Sequence, residues 1–156
     1  MKKLALAALA VVVLVAGVLA FVLTRGDDHD NGQAALMVAA RTGAVDFFSL
    51  DYRHADDDVD RVLALATGKF KTQYAAQRKQ IVDGVVKKKL VVTAAIPEDG
   101  AALEFLSARK AQVLVAVDVT TSATTGSAAT PDRYRTRVEL TRVGDKWLIS
   151  GLNQVG

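Results

Sequence analysis

The sequence predicts an α+β fold, in which a membrane-spanning helix precedes three helices and about five antiparallel strands that curl round the longest helix. Three observations carry this prediction. An unbroken apolar run fills residues 4–23, apolar residues then recur at three- and four-residue steps as far as Lys88, and alternation with period two begins at Leu90. Helices that come before an antiparallel sheet are typical of α+β architecture, and no βαβ alternation or internal repeat occurs.

The apolar run has the length of a transmembrane helix. Twenty helical residues at about 1.5 Å each span roughly 30 Å, the thickness of the hydrocarbon core of a bilayer. Lys2 and Lys3 precede the run and Arg25 alone follows it closely, a modest bias that predicts a cytoplasmic N-terminus and a domain outside the plasma membrane. The predicted anchor residues, from its start to its end, are Leu4, Leu14 and Leu23.

A cleaved signal peptide is the competing interpretation, because Val18-Leu19-Ala20 resembles a cleavage site. The apolar run continues past that site to Leu23 and exceeds the usual length of about 7 to 15 residues, so a retained anchor is favoured. The chain has no cysteine, which excludes a lipid-modified cysteine and disulfide bonds. The predicted organisation is a cytoplasmic tip at 1–3, the transmembrane helix at 4–23, a polar spacer at 24–32 and an extracytoplasmic domain at 33–156.

The charge balance argues against nucleic acid as a partner. Without Lys2 and Lys3, 18 of the 20 basic residues remain against 17 acidic ones, so the domain is nearly neutral. The remaining residues are ample for one hydrophobic core.

Three helices are predicted before the sheet. The first begins at about Gln33 and carries an apolar stripe. The second is short, with Asp56 as its N-cap and Gly68 at its end. The third runs from about Lys69 to Lys88, and lysines in its last turn complement the helix dipole.

The strands follow from the change of period. Leu90–Ile96 is predicted to end in a turn at 97–100, with Leu103–Ala108 as its short partner strand. Gln112–Thr121 is apolar on both faces and is predicted to be central. A polar loop at 122–131 then separates it from Asp132–Val143, and a tight turn leads into Lys146–Leu152.

The residues offer few candidates for chemistry. The aspartate-rich spacer fails the EF-hand pattern, because His29 would occupy ligand position three and Val38 position twelve. His54 has carboxylate neighbours, but helix capping explains those aspartates and no nucleophile elbow occurs. The sequence therefore predicts no catalytic residue, no metal site and no cofactor.

Two polar features of the sheet remain as candidates. If the Leu114, Ala116 and Asp118 face of the central strand lines the interior, Asp118 would be a buried carboxylate with a raised pKa and the candidate cavity residue. Three alternate residues of one strand form a candidate docking face for an acidic partner, although a solvated outer face is the ordinary explanation. They are Arg133, Arg135 and Arg137.

Several strings of this chain resemble the Mce-associated membrane proteins of mycobacteria and related actinobacteria. These are FSLDYRH at 48–54, LALATG at 63–68, VLVAVD at 113–118, YRTRV at 134–138 and KWL at 146–148. The resemblance implies a nuclear transport factor 2-like fold, which is a curved antiparallel sheet wrapped on helices into a cone. The family offers no catalytic residues to carry over, and we interpret the matched segment at 51–54 as structural, namely as the joint between the first and second helices.

The resemblance further implies a non-enzymatic accessory protein of the cell membrane that stabilises or helps assemble an Mce-type import system for sterols or fatty acids. The expected partners are Mce transporter subunits or the permease, with membrane lipid round the anchor. The alternatives are a carrier of hydrophobic ligands, a cone-fold enzyme that uses the cavity, and a scaffold of a secretion machine. Self-association through the sheet is a further alternative.

Overall fold

The computed structural model describes residues 32–123 and 131–156. One compact unit runs from Leu36 to Gly156, and the preceding unit ends at Ala35. The predicted transmembrane helix and its leucines Leu4, Leu14 and Leu23 lie outside the described residues. Within the described ranges, no helix is both long enough and apolar enough to cross a membrane.

The described elements confirm the α+β fold. Helix α1 occupies 32–48, and the elements that follow it in chain order are β1 (Leu50–Asp51), α2 (Ala55–Leu65), α3 (Gly68–Lys88), β2 (Leu90–Ala95), β3 (Ala101–Leu106), β4 (Lys110–Ala123), β5 (Asp132–Val143) and β6 (Lys146–Gln154). All strand pairs in this sheet are antiparallel. Three helices thus pack with one curled sheet.

The start of α2 differs from the prediction. His54 occupies the N-cap position without a side-chain hydrogen bond, and three aspartates at 56–58 lie in the first turn. Asp56 is therefore not the cap but a residue of the first turn, and its carboxylate accepts a hydrogen bond from Arg78 of α3 at 3.1 Å. The aspartates still favour the helix, since negative charge near a helix N-terminus opposes the partial positive charge there.

The strand order is β1-β2-β4-β5-β6, and β3 also pairs with β4. β2 pairs with the C-terminal half of β4 and β3 with the N-terminal half, so both lie along the same edge of β4. The prediction that β3 pairs with the strand before it is wrong. The loop at 96–100 does not reverse the chain, since β2 and β3 are both antiparallel to β4. Arg41 of α1 donates hydrogen bonds to the carbonyl oxygens of Ile96, Pro97 and Glu98 in this loop at 2.9–3.3 Å.

The concave face of the sheet is packed against α1. Alternate residues of β4 are buried, namely Ala111, Val113, Val115, Val117 and Val119. They share one core cluster with Leu36, Ala40 and Ala44, which lie four residues apart on one side of α1. The helix approaches β6 closely at Gly43, where an added Cβ would overlap the side chain of Ile149. The interior of the cone is therefore filled by side chains at this helix.

Candidate functional site

Asp118 lies on the outer face of the sheet, so the interior alternative is corrected. Alternate residues of β4 face opposite sides, and the buried valines take the concave side. The Asp118 carboxylate accepts hydrogen bonds from Nε and Nη2 of Arg133 at 2.6 and 2.9 Å. This guanidinium lowers the pKa of Asp118, whereas an interior site would have raised it.

The three arginines share the outer face of β5, as their spacing predicts. Arg133 is paired with Asp118, and Arg137 donates hydrogen bonds to both carboxylate oxygens of Glu104 at 2.6 and 3.1 Å. Arg135 is exposed. Two of the three guanidinium groups therefore have carboxylate partners within the domain, which reduces the positive charge available to an acidic partner. The docking role of Arg133, Arg135 and Arg137 stays a prediction.

The joint between α1 and α2 is held by two aspartates. The Asp51 carboxylate accepts hydrogen bonds from the backbone N–H and the guanidinium of Arg53, which lower its pKa to about 2. The buried Asp58 carboxylate accepts the Asp51 backbone N–H at 2.6 Å and Nη2 of Arg61 at 2.7 Å. Asp58 thereby ties β1 to the first turn of α2.

A second carboxylate lies near Arg61. Asp46 of α1 is half-buried, with its Oδ1 3.9 Å from Nε of Arg61. Burial raises the pKa of Asp46, although Arg61 opposes the shift. Burial also raises the pKa of the neighbouring Tyr74 phenol to about 12, assisted by the charge of Asp58. Among the described residues, every fully buried side-chain oxygen or nitrogen has a hydrogen-bond partner, so this region is a satisfied structural network.

An aromatic cluster lies where α1, β1 and α3 meet. The ring of Phe47 is 5.7 Å from that of Tyr74 and 6.1 Å from that of Phe70, measured between centroids. These rings and Leu50 border a hollow of about 660 Å³, and Ile81 lies further along its wall. This hollow lies outside the concave sheet face that α1 covers.

A smaller hollow of about 380 Å³ continues the first towards the end of α3. The two hollows share Gln77 and Ile81, and the second extends to Lys88 and to Leu90 of β2. We call this pair of hollows the α3 groove. From Phe70 to Lys88 it follows α3 for 18 residues, which at 1.5 Å per residue is about 27 Å.

The sequence placed the α3 wall of this groove on one side of a helix but did not reveal the groove. Phe70, Tyr74, Gln77 and Ile81 follow helical spacing, which is equally typical of an ordinary core face. The signal that was missed is Gly84, a glycine inside a helix. Gly84 lines the groove, and a Cβ added to it would have no atom of the described residues within 4 Å.

The solved structures that this fold resembles include a periplasmic domain and a type IV secretion system protein. The periplasmic domain of DotI is 20% identical, with 78% of this chain and 94% of that chain covered and a TM-score of 0.64. CagV from Helicobacter pylori strain 26695, a VirB8 homolog, is 11% identical, with 79% and 99% covered and a TM-score of 0.61. VirB8 of Agrobacterium tumefaciens is 9% identical, with 80% and 92% covered and a TM-score of 0.58.

These likenesses define the class of fold, a VirB8-like cone related to nuclear transport factor 2. The chain itself belongs, over residues 1–156, to the family described as uncharacterized protein Rv1363c/MT1408-like. The uncharacterized protein Rv1363c of Mycobacterium tuberculosis (strain ATCC 25618 / H37Rv) is 26% identical over 123 residues, or 79% of this chain and 46% of that protein. The chain thus spans about half the length of this curated relative.

Proposed function

We propose that this chain is a non-enzymatic, membrane-anchored accessory protein whose extracytoplasmic domain stabilises or helps assemble an Mce-type lipid import system. The observation that carries the proposal is the packing of α1 into the concave sheet face, where Leu36, Ala40 and Ala44 are fully buried. A fold whose interior is filled by its own helix acts through its surface. The resemblance of the sequence strings to Mce-associated proteins supports the choice of transporter.

The fold likeness supports an assembly role in general terms. DotI is described as having a periplasmic domain, and CagV as a VirB8 homolog of a type IV secretion system. The same likeness favours a secretion-machine scaffold as the second candidate function, with the same domain acting as a structural subunit of a different complex.

The enzyme and carrier alternatives have less support. The cone-fold enzyme required Asp118 inside the cone, and that residue is instead paired with Arg133 on the outer face. The carrier required an open cone cavity, and α1 packs there so closely that Gly43 has no room for a Cβ beside Ile149.

Affinity purification of the tagged full chain from native membranes of the source bacterium tests the proposal. We expect Mce subunits and the permease to co-purify, at levels well above those obtained with an unrelated tagged single-pass membrane protein. Recovery of secretion-machine subunits instead would support the second candidate. Recovery of neither group above the control would contradict both assembly roles.

A further inference from the structure

The α3 groove is an open, apolar feature that the residues described by the structure leave unfilled. We propose that it binds an acidic polypeptide segment of a partner protein, an inference that rests on the proposed assembly function and adds the surface through which it acts. Four features of the groove carry it: aromatic walls, a row of amides, unmatched lysines and an open glycine.

The wider hollow suits a large apolar side chain. Phe47 and Phe70 are only half-buried although both pack against Tyr74, so their rings offer contact area that the domain does not use. Apolar side chains inserted into such pockets supply most of the affinity at protein interfaces. A volume of about 660 Å³ exceeds that of a single side chain, so the segment would place more than one residue there.

A row of amide side chains indicates a polypeptide rather than a lipid. Gln73 and Gln77 line the wider hollow, while Gln77 and Gln80 line the narrower one. An amide both donates and accepts hydrogen bonds, which matches the N–H and C=O groups of a peptide. An acyl chain seated there would leave these amides without partners, which is costly once water is excluded.

The charge of α3 determines the charge of the segment. The helix carries six basic residues and one acidic residue. Arg78 and Lys79 have carboxylate partners within the domain. The other four have no ion-pair partner among the described residues, and they are Lys69, Lys71, Lys87 and Lys88. Lys88 lines the narrower hollow, and each of the other three is the chain neighbour of a lining residue, Phe70 or Lys88. This positive charge favours an acidic segment, and two α3 helices face to face would repel each other.

The groove does not suit a bilayer surface. A helix that lies in a membrane interface presents its apolar side outward. In α3 the apolar side is turned towards the domain, and Tyr74 and Val85 are 6% and 7% exposed. A narrow chain can enter this concave surface, whereas a flat bilayer cannot.

Gly84 is the fourth feature. Glycine inside a helix is unfavourable, yet an alanine Cβ at this position would meet no atom of the described residues within 4 Å. Its place in the wall of the groove leaves bare backbone that a partner chain can approach closely.

Site-specific photo-crosslinking of the full chain in intact cells tests the proposal. Benzoylphenylalanine replaces Gln80 in the groove or, as the control, Thr93 on the outer face of β2, and adducts are mapped by mass spectrometry. The Gln80 probe is also combined with Gly84→Leu or with Lys87→Glu/Lys88→Glu. The charge-matched control, Lys110→Glu/Lys146→Glu, changes lysines at the opposite end of β4 from Leu90.

We expect the Gln80 probe to give polypeptide adducts at least fivefold above the Thr93 probe, in a segment with net negative charge. Both Gly84→Leu and Lys87→Glu/Lys88→Glu should lower that yield at least fivefold, while the control pair leaves it within twofold. Gly84→Leu should not lower the temperature of unfolding, because leucine favours the helix over glycine and its Cβ has no described atom within 4 Å.

Adducts only with lipid, adducts only between two copies of this chain, or polypeptide adducts that both groove variants leave unchanged would each overturn the proposal. Failure of the function is distinguishable from failure of the site. A charge-dependent Gln80 adduct with a protein that is not a transporter subunit would support the groove as a binding site and contradict the role in lipid import. Co-purification of Mce subunits without a Gln80 adduct would contradict only the proposal that the groove is the binding site.

Discussion

Gly43 and Gly84 are both glycines within helices, and the structure predicts opposite effects for the same substitution at the two sites. Alanine favours a helix interior over glycine by about 1 kcal/mol. At Gly84 nothing lies within 4 Å of the new Cβ, so Gly84→Ala should stabilise the protein by about 0.5–1 kcal/mol. At Gly43 the same gain is opposed by a collision.

The collision is with a side chain that has little freedom to move. A Cβ at 43 would overlap Cδ1 of Ile149 and lie 3.0 Å from its Cγ1, and Ile149 is 1% exposed. Overpacking of this kind costs about 1–3 kcal/mol. With about 2 kcal/mol lost and about 1 kcal/mol gained, Gly43→Ala should destabilise the protein by about 1 kcal/mol.

Removing Cδ1 should relieve most of the collision, and Cγ1 then remains 3.0 Å from the new Cβ. Ile149→Val alone costs about 1 kcal/mol, since it leaves a small cavity. In Gly43→Ala/Ile149→Val the new Cβ occupies that space, so the double variant should be at least as stable as Ile149→Val. Because the two single costs of about 1 kcal/mol each would otherwise add to about 2 kcal/mol, the two substitutions should be coupled by at least about 1 kcal/mol.

Urea unfolding of the detergent-solubilised full chain measures these differences. The sequence has one tryptophan, Trp147, which packs against the main core cluster, so its fluorescence reports on that core. If Gly43→Ala stabilises the protein as much as Gly84→Ala does, α1 does not pack on β6 as described. Additive effects of the Gly43 and Ile149 substitutions would refute the collision in the same way.

Three further predictions concern polar groups. Asp58→Ala should lower the free energy of unfolding, measured in urea, by about 2 kcal/mol, because the Asp51 N–H and the Arg61 guanidinium lose a buried acceptor. As a control, Asp57→Ala at an exposed position should change it by less than about 0.5 kcal/mol. The raised pKa of Tyr74 means that stability falls as pH rises from about 10 to about 12, because over that range the phenol ionises in the unfolded state and not in the folded state. By pH 11 the wild type should lose about 1 kcal/mol relative to Tyr74→Phe, and parallel pH profiles of the two proteins would contradict this. Arg41→Met should lower the free energy of unfolding by about 1 kcal/mol, because Arg41 donates hydrogen bonds to the loop at 96–100. The Ala116 amide donates a hydrogen bond to the Gly100 carbonyl of this loop, so its hydrogen exchange should become faster. Unchanged exchange would exclude a role of Arg41 in holding the loop.

The helices were largely predictable because their signals are local. α3 was expected at Lys69–Lys88 and is found at Gly68–Lys88. Repetition of apolar residues every three or four positions needs no knowledge of the partner surface. The start of α2 was less accurate, since Asp56 was expected as the N-cap and His54 holds that position. The ends of a helix are less sharply marked in a sequence than its interior.

The faces of the central strand were not predictable from their own residues. Val113, Val115 and Val117 alternate with Leu114 and Ala116, so both sides of β4 read as apolar. Which side of β4 is buried depends on where α1 packs. Because α1 packs on the valine side, Asp118 lies on the outer face.

The sequence by itself determined the order of helices and strands and the single apolar side of α3, because these are set by residues a few positions apart. Only the tertiary structure decided that β3 pairs with β4 and that the valine side of β4 is buried. It alone also brought Leu50, Tyr74 and Leu90 to one groove. These outcomes depend on contacts between residues that are far apart in the chain. The energies of such contacts depend on how well the surfaces of different elements fit together, which no short stretch of sequence specifies.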